Sequence, residues 1–305
     1  SSGCATPVTF LAALEDEAVE HPGVRLYHYL TRPRPGEPRR PTVRHRTTFV
    51  SHDMEPLLER EMVDYIPISL RDVSRTHKQG RLRIDVAVIQ VSEPDAGGMC
   101  SLGASVGLGR TMIQAADKVI AEINPAMPRT RVDTLVPFDT FDAVLDVEPV
   151  MLDYEPRHDT AGQTEAAITA MADYGARLVP DGATLHTGPG QLVGEVLARL
   201  DNHRDLGVHS DVISDPVIDL IEKGVITGRF KSMSKGKVVA SFAMGTQRLY
   251  DAINQSRTFT FRPIEQISDP YILMRQTRMV SIVLGFSIDL TGQVCAEYRD
   301  GQQYG

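Results

Sequence analysis

Short apolar runs rich in valine and isoleucine alternate along this chain with longer stretches in which apolar residues recur at helical spacing. The run 83–91 predicts a buried strand, and a loop containing proline and glycine follows it at 92–98. A predicted helix at 111–118 then leads into a second strand at 119–123. Because strands that alternate with helices build parallel sheets, the pattern predicts an α/β protein with open, mostly parallel sheets.

The same alternation continues after a polar interval at 148–163 that contains two prolines. A helix is predicted directly after this interval, over 164–178. At about 150 residues per domain, the length of 305 residues also indicates two domains. We therefore predict an N-terminal α/β domain over 1–155 and a C-terminal α/β domain over 156–305.

The composition narrows the class of protein further. A content of 42% hydrophobic and 24% charged residues excludes disordered and collagen-like chains, because enough apolar surface is available to offset the entropy lost on folding. The net charge of −8 argues against a broad surface for nucleic acid or an anionic membrane. The longest apolar runs are far shorter than the roughly 18 residues that cross a bilayer. We therefore predict a soluble protein without nucleic-acid or membrane partners.

The cysteines predict neither a disulfide framework nor a metal site. Cys4, Cys100 and Cys295 lie far apart, and none stands in a spacing typical of zinc ligands. The first 14 residues lack the basic start and continuous apolar centre of a secretory signal. These features predict a reducing, cytoplasmic setting and free thiols.

An unusual segment runs from Arg32 to Arg46 and holds six arginines and four prolines. Because proline interrupts helices and strands, we predict an exposed loop here. Arginine side chains bind phosphate oxygens through two parallel hydrogen bonds, so the loop is a candidate phosphate site. A solvated loop or a subunit contact is the alternative interpretation.

A glycine turn in the second half is a candidate ligand-binding element. A predicted strand runs into Gly188-Pro189-Gly190-Gln191, and a helix is predicted over 192–200. A turn between a strand and a helix presents backbone N–H groups that bind anions. The alternative is a tight turn that needs glycine only for its positive φ.

Several separate stretches, in the same order over most of the chain, resemble the acetyl-CoA hydrolase/transferase family, and within it the 4-hydroxybutyrate CoA-transferase branch. The first half carries three of them and the second half carries four. They lie at 86–95, 100–105, 120–130, 179–185, 203–210, 236–246 and 288–295.

The resemblance implies two open α/β domains with an acyl-CoA bound in the cleft between them. It implies no metal and no tightly bound cofactor, with coenzyme A serving as part of the substrate, and a homo-oligomeric assembly. In the family, a carboxylate attacks the thioester and an enzyme-bound CoA thioester results. A second carboxylic acid then leaves as the new acyl-CoA, so CoA moves between carboxylic acids.

The chain departs from the family at the nucleophile. The corresponding segment is His209-Ser210-Asp211, with aspartate where the family has glutamate, and His209 is predicted to line the CoA site. The shorter side chain withdraws the carboxylate by about 1.5 Å, one carbon–carbon bond. Asp211 is therefore expected to act as nucleophile, or as general base in hydrolysis or transfer to another acceptor. Capping of a helix over 212–221 is its alternative role. His209 and His186 are also candidate proton carriers, and an ordinary surface or buried histidine is the alternative for each.

Other departures surround this position. Val283 stands where the family has an asparagine associated with the reacting acyl oxygen, and Gly285 lies in the same segment. Valine donates no hydrogen bond. Ser287 replaces an acidic residue, and the chain ends at residue 305 inside the family's pattern, so the predicted second domain is incomplete. A non-catalytic acyl-CoA-binding protein is therefore the third hypothesis, beside transfer and hydrolysis.

Overall fold

The computed structural model of the protein describes residues 3–17, 23–33, 42–131, 133–154, 165–299 and 301–303. Helices and strands alternate through both halves of the chain. The helices are α1 (Val8–Glu17), α2 (Glu55–Leu58), α3 (Leu70–Lys78), α4 (Gly109–Ala115), α5 (Glu165–Arg177), α6 (Gln191–Ala198), α7 (Asp215–Glu222), α8 (Gln247–Ile253), α9 (Ile264–Ile267) and α10 (Pro270–Met274).

The strands are mostly short. In chain order they are β1 (Arg25–His28), β2 (Arg44–Thr47), β3 (Val63–Tyr65), β4 (Ile84–Val91), β5 (Met99–Ser101), β6 (Ala116–Ile123), β7 (Leu135–Pro137), β8 (Ala143–Asp146), β9 (Thr184–Thr187), β10 (Gly207–Ile213), β11 (Val238–Ala243), β12 (Phe259–Phe261), β13 (Met279–Ile282), β14 (Ser287–Ile288), β15 (Val294–Cys295), β16 (Tyr298–Arg299) and β17 (Gln302–Gln303).

Three parallel sheets form the framework. The largest has five strands in the order β12-β11-β10-β9-β13. Two three-stranded sheets, β4-β6-β8 and β1-β2-β3, are also parallel. Three small pairs, β5 with β7, β14 with β15 and β16 with β17, are antiparallel. This arrangement confirms the predicted α/β class with mostly parallel sheets.

The two central strands of the largest sheet are buried on both faces. Every residue of β11 is buried, and so is every residue of β10 except Asp211. Near-continuous apolar runs are typical of strands that are covered on both sides. A carboxylate is therefore the one side chain by which β10 reaches the surface.

The sequence prediction for the segment after Asp211 was wrong. The alternative role of Asp211 was to cap a helix over 212–221, but Asp211 lies inside β10 and the helix α7 begins at Asp215. Pro216 fixes this start, because proline is tolerated in the first turn of a helix and not further inside. Ser214 is the residue at the cap position. Asp211 is thus free of a capping role.

Two other predictions fit only in part. The strand predicted over 83–91 is β4, whereas the helix predicted over 111–118 ends three residues early because β6 already begins at Ala116. The prediction of an exposed loop was wrong for Arg44 and Arg46, which lie on β2. Their guanidinium groups contact Asp64 on β3, at 2.8 and 3.4 Å. These ion pairs compensate the positive charge of the two arginines. Residues 34–41 lie outside the described part of the chain.

Backbone hydrogen bonds join the first half of the chain to the largest sheet. The Val106 N–H donates to the Ser241 carbonyl at 3.1 Å, and the Ala243 N–H donates to the Ala104 carbonyl at 2.9 Å. At Gly107, an added Cβ would lie 1.9 Å from the Phe242 ring, so only glycine admits that ring. One hydrophobic core extends through both halves. The predicted boundary between residues 155 and 156 lies outside the described ranges, and the division into two domains stays a prediction.

Candidate active site

The Asp211 carboxylate contacts one side chain at each of its two oxygens. The Ser268 hydroxyl donates to Asp211 Oδ1 at 2.7 Å, and Asp211 Oδ2 lies 3.5 Å from His186 Nε2. About a third of the Asp211 side chain is exposed, at 30%. The arrangement fixes one oxygen and leaves the other accessible beside an imidazole.

The segment after β12 positions Ser268. The short helix α9 begins after Pro263, and Ser268 is its C-terminal cap, with its N–H donating to the Ile264 carbonyl. Both Ile264 and Ile267 are completely buried, so apolar packing anchors the helix against the core. Ser268 was not among the predicted site residues, because no local spacing links it to Asp211.

A second contact links the sheet's edge strand to the same place. Ser281 on β13 is the direct register partner of His186 on β9, and Ser281 Oγ lies 3.0 Å from His186 Nδ1. Ser281 is exposed, while the His186 side chain is 20% exposed. Since β13, β9 and β10 are consecutive strands, Ser281, His186 and Asp211 form one contiguous row of polar groups.

His209 is a buried histidine with both ring nitrogens engaged. Its Nε2 lies 3.0 Å from the Ile267 carbonyl, and its Nδ1 lies 3.2 Å from the Gln276 side-chain amide. The carbonyl accepts only, so Nε2 carries the proton and Nδ1 accepts from Gln276. Burial lowers the pKa of His209, which keeps the ring neutral. Its predicted contact with CoA stays a prediction; in this structure its ring binds the segment that carries Ser268.

A buried lysine supports the same strand. The Lys231 ammonium group donates to the carbonyls of Val208 and Lys237, at 2.6 and 2.8 Å. Burial lowers the pKa of Lys231 to about 7. The lysine stem occupies the space beside Gly207, where an added Cβ would lie 2.5 Å from Lys231 Cγ. The hydrogen bonds of Lys231 therefore connect β10 to the residue that precedes β11, and they require the burial of an amine.

The predicted glycine turn lies at the carboxyl end of β9. Gly190 has φ 128° and precedes α6, whose first residue is Gln191, so this position requires glycine. The Gly188 N–H donates to the Ile282 carbonyl at 3.4 Å, and Pro189 lies between the two glycines. An added Cβ at Gly188 or Gly190 would meet no atom within 4 Å. The turn therefore faces open space next to the end of β13.

The Val283 segment follows β13 directly and is brought next to this turn. Val283 is 67% exposed, and the preceding Ile282 is the residue that binds Gly188. Gly285 has a different environment, since an added Cβ there would lie 2.5 Å from Val294 on β15. The structure thus gathers Val283 and the glycine turn at one edge of the sheet, while Gly285 packs against the β14–β15 hairpin.

Tyr29 from the first half also belongs to this region. Its ring packs against Phe49 and Phe242, with centroids 5.9 and 6.0 Å away. Burial raises the pKa of Tyr29, and the negative charge of Asp211 raises it further. The phenol therefore stays protonated. No local pattern in the sequence predicts the contact between Tyr29 and Phe242, which lie in different halves of the chain.

Two general observations bear on the predicted partners. No helix within the described ranges is long and apolar enough to span a membrane. The described residues also contain no group of three histidine, cysteine or acidic side chains arranged to hold a metal ion. Cys4 and Cys100 are free and buried, and Cys295 is free and partly exposed.

The chain is similar to known proteins over most of its length. Residues 37–159 match the model of the acetyl-CoA hydrolase/transferase N-terminal domain, and residues 245–305 match that of the C-terminal domain. The 4-hydroxybutyrate coenzyme A transferase of Clostridium kluyveri is 37% identical over 254 residues, which cover 83% of this chain and 58% of that protein.

Solved structures agree with these matches. RipA from Yersinia pestis superimposes with a TM-score of 0.88 at 27% identity, covering 97% of this chain and 71% of that one. A 4-hydroxybutyrate CoA-transferase from Porphyromonas gingivalis gives a TM-score of 0.77 at 28% identity, covering 95% and 69%. The chain spans 58% of the length of the Clostridium kluyveri relative. By its two matched domains and its fold, the chain belongs to the acetyl-CoA hydrolase/transferase family.

Proposed function

We propose that this chain processes acyl-CoA thioesters and that it moves CoA between carboxylic acids, with Asp211 as the nucleophile. The observation that carries the proposal is the Asp211 carboxylate itself. It is the one partly exposed side chain of a buried central strand, and Ser268 orients one of its oxygens. Asp211 also occupies the position at which the resembled family has its catalytic carboxylate.

The chemistry follows from the carboxylate. An Asp211 oxygen attacks the thioester carbonyl, and CoA leaves as a thiolate, which gives a mixed anhydride between Asp211 and the acyl group. The thiolate then attacks the Asp211 carbonyl, releasing the carboxylic acid as its anion and forming a CoA thioester on Asp211. A second carboxylate reverses these steps. No net water or proton is consumed.

The residues around Asp211 fit the binding of such a substrate. The glycine turn from Gly188 through Pro189 and Gly190 to Gln191, together with Val283, lines open space at the sheet edge. We assign the acyl-CoA and the carboxylic acid to this space, with CoA as substrate and no tightly bound cofactor. A homo-oligomeric, cytoplasmic protein remains the expectation from the sequence.

Hydrolysis of the thioester is the second candidate, and the contact between Asp211 and His186 favours it. The aspartate carboxylate reaches about one carbon–carbon bond less far than a glutamate would, which leaves room for a water molecule. Asp211 Oδ2, 3.5 Å from His186 Nε2, is then placed as a general base that is paired with an imidazole. Free CoA would be released without any acyl acceptor other than water.

The discriminating experiment incubates the 305-residue chain with a panel of short acyl-CoAs, with and without acetate. Free thiol and new acyl-CoA are measured. Formation of acetyl-CoA that requires acetate and releases no thiol supports transfer. Free CoA in the absence of acetate supports hydrolysis. If neither product forms, both enzymatic proposals are overturned and a non-catalytic acyl-CoA-binding protein is favoured.

Variants assign the reaction to the site. Asp211→Asn keeps the shape of the side chain and removes its charge, so we expect loss of turnover. Asp139→Asn serves as the matched control, because Asp139 is an exposed aspartate of the first half. Borohydride reduction tests the covalent intermediate, since a CoA thioester on Asp211 is reduced and a general base forms none. Equal turnover by both variants would contradict a role for Asp211.

A further inference from the structure

Three adjacent parallel strands each contribute one member of a row of polar side chains. Ser281 lies on the edge strand β13, His186 on β9 and Asp211 on the central strand β10. Ser281 Oγ is 3.0 Å from His186 Nδ1, and His186 Nε2 is 3.5 Å from Asp211 Oδ2. The two contacts use opposite nitrogens of one imidazole ring, so the histidine bridges a hydroxyl and a carboxylate.

The chemistry of the groups determines where the protons lie. A carboxylate only accepts hydrogen bonds, so the His186 nitrogen that faces it, Nε2, carries the proton. Nδ1 of the neutral ring is then an acceptor, and the Ser281 hydroxyl donates to it. A serine hydroxyl that donates to an imidazole oriented by a carboxylate is the arrangement that activates serine for nucleophilic attack.

The position of the row suits an encounter with substrate. Ser281 is exposed on the edge strand, and two residues later Val283 is 67% exposed beside the glycine turn. Ser268 binds the other oxygen of Asp211 at 2.7 Å and so keeps Oδ2 turned toward the imidazole. The 3.5 Å separation is longer than a normal hydrogen bond, and catalytic hydrogen bonds are often long until substrate binds.

From this geometry we propose a second activity of the site, in which Ser281 is an acyl acceptor and the protein hydrolyses acyl thioesters through an acyl-serine. This inference rests on the proposed function only in taking acyl-CoA as the physiological substrate. It differs in the attacking atom, since Ser281 Oγ replaces an Asp211 oxygen. Asp211 acts here as a positioning residue through His186.

The reaction balances with water as its only co-substrate. Ser281 Oγ attacks the thioester carbonyl while its proton passes to His186 Nδ1, and Asp211 stabilises the resulting imidazolium. The C–S bond breaks, and the CoA thiolate takes the proton from His186 and leaves as a thiol. Water then gives a proton to His186 and attacks the ester. The C–O bond to Ser281 breaks, the proton returns to Ser281, and the carboxylic acid is released.

The test locates the covalent adduct. The chain is incubated with acetyl-CoA and, separately, with p-nitrophenyl acetate, an activated ester that needs no CoA site. It is quenched in acid and analysed by peptide mass spectrometry. We expect one acetyl group on the peptide that contains Ser281 with both reagents. Ser281→Ala and His186→Gln should remove this adduct and slow release of p-nitrophenol by about a hundredfold or more.

A matched variant guards against a general effect on folding. Ser234→Ala changes an exposed serine in the loop before β11 that forms no hydrogen bond to any histidine in the described ranges, so it should retain the adduct and the rate. Circular dichroism checks that each variant is folded. If Ser281→Ala is folded and keeps full esterase activity, or if no acetyl group is found on Ser281 with either reagent, the inference is overturned.

The outcome also separates this inference from the proposed transfer reaction. A CoA-sized adduct on Asp211 with acetate-dependent exchange, and no acetyl group on Ser281, would leave transfer standing and reject the acyl-serine. An acetyl group on Ser281 from p-nitrophenyl acetate, without any CoA exchange, would support the activated serine and reject transfer. Both adducts together would show that the two reactions share Asp211.

Discussion

The Ser268 hydroxyl donates a hydrogen bond to Asp211 Oδ1 across 2.7 Å, although the two residues lie 57 positions apart in the chain. Ser268 reaches this position because α9 packs its isoleucines into the core and ends there. The orientation of the carboxylate therefore depends on the docking of this one-turn helix as well as on the strand that carries the aspartate.

Replacing Ser268 by alanine should lower kcat/KM for acyl-CoA by about tenfold. A hydrogen bond to a charged group contributes about 1.5–3 kcal/mol, and part of that is recovered by water at this partly exposed carboxylate. Ser268→Thr retains the hydroxyl and serves as the control. Equal rates for Ser268→Ala and the wild type, under conditions where both are folded, would contradict the orienting role.

Replacing Asp211 by glutamate should shift the reaction toward CoA transfer. The added methylene extends the carboxylate by about 1.5 Å, and a displacement of ~1 Å changes the rate of attack by about a hundredfold. The ratio of acetate-dependent acetyl-CoA to free thiol measures the effect, because it compares two products of one preparation. An unchanged ratio would mean that reach does not decide between the two reactions.

Replacing Val283 by asparagine should raise the rate of acyl transfer. An amide donor near a developing oxyanion typically contributes roughly 10²–10³ in rate, and valine supplies none. We expect a gain of about tenfold or more in kcat, because a new donor is less well placed than an evolved one. Leu284→Asn is the matched control, since Leu284 is the next residue and is 42% exposed. Equal gains in both variants would point to a nonspecific effect.

Lys231 should make folding stability depend on pH in the alkaline range. Burial lowers its pKa from 10.5 to about 7, so between these values the unfolded chain binds more protons than the folded one. The contribution of Lys231 to stability is therefore fully present above the unfolded pKa and is lost as the pH falls through the folded pKa. The free energy of unfolding should rise from pH 7 to pH 9 with a slope from this group of at most about 1.4 kcal/mol per pH unit.

The comparison of variants isolates that contribution. Lys231→Met should lose the slope in urea unfolding measured at pH 7, 8 and 9, while its absolute stability also reflects the loss of hydrogen bonds to Val208 and Lys237. Lys235→Met, at an exposed lysine, should retain the wild-type slope. A Lys231→Met slope equal to that of the wild type would show that the buried amine does not titrate in this range.

The sequence was sufficient for the fold class, because buried parallel strands such as β4 and β11 are continuous apolar runs bounded by loop residues. It failed where tertiary contacts override composition. Arg44 and Arg46 form a strand because Asp64 on a neighbouring strand compensates their charge. Asp211 has the local pattern of a helix cap, whereas pairing with β11 on both sides of Asp211 extends the strand through it.

The candidate site was predictable at Asp211 and at the glycine turn, since both lie in local patterns. Its other members depend on the register between strands and on the docking of α9. Nothing in the spacing of His186 and Ser281, 95 positions apart, indicates that their side chains meet. Tyr29 joins from the first half for the same reason. Such contacts appear only once the strand order is known.

The close approach of Gly107 to the Phe242 ring has a consequence for motion and cooperativity. The ring lies between the segment around Gly107 and β11. Backbone hydrogen bonds on both sides of the ring connect this segment to β11. Relative rotation of these two parts would require withdrawing the ring and breaking those bonds together. The segment around Gly107 and the five-stranded sheet that contains Asp211 should therefore unfold as one cooperative unit, wherever a domain boundary falls. The amide protons of the hydrogen bonds between them should be among the slowest to exchange.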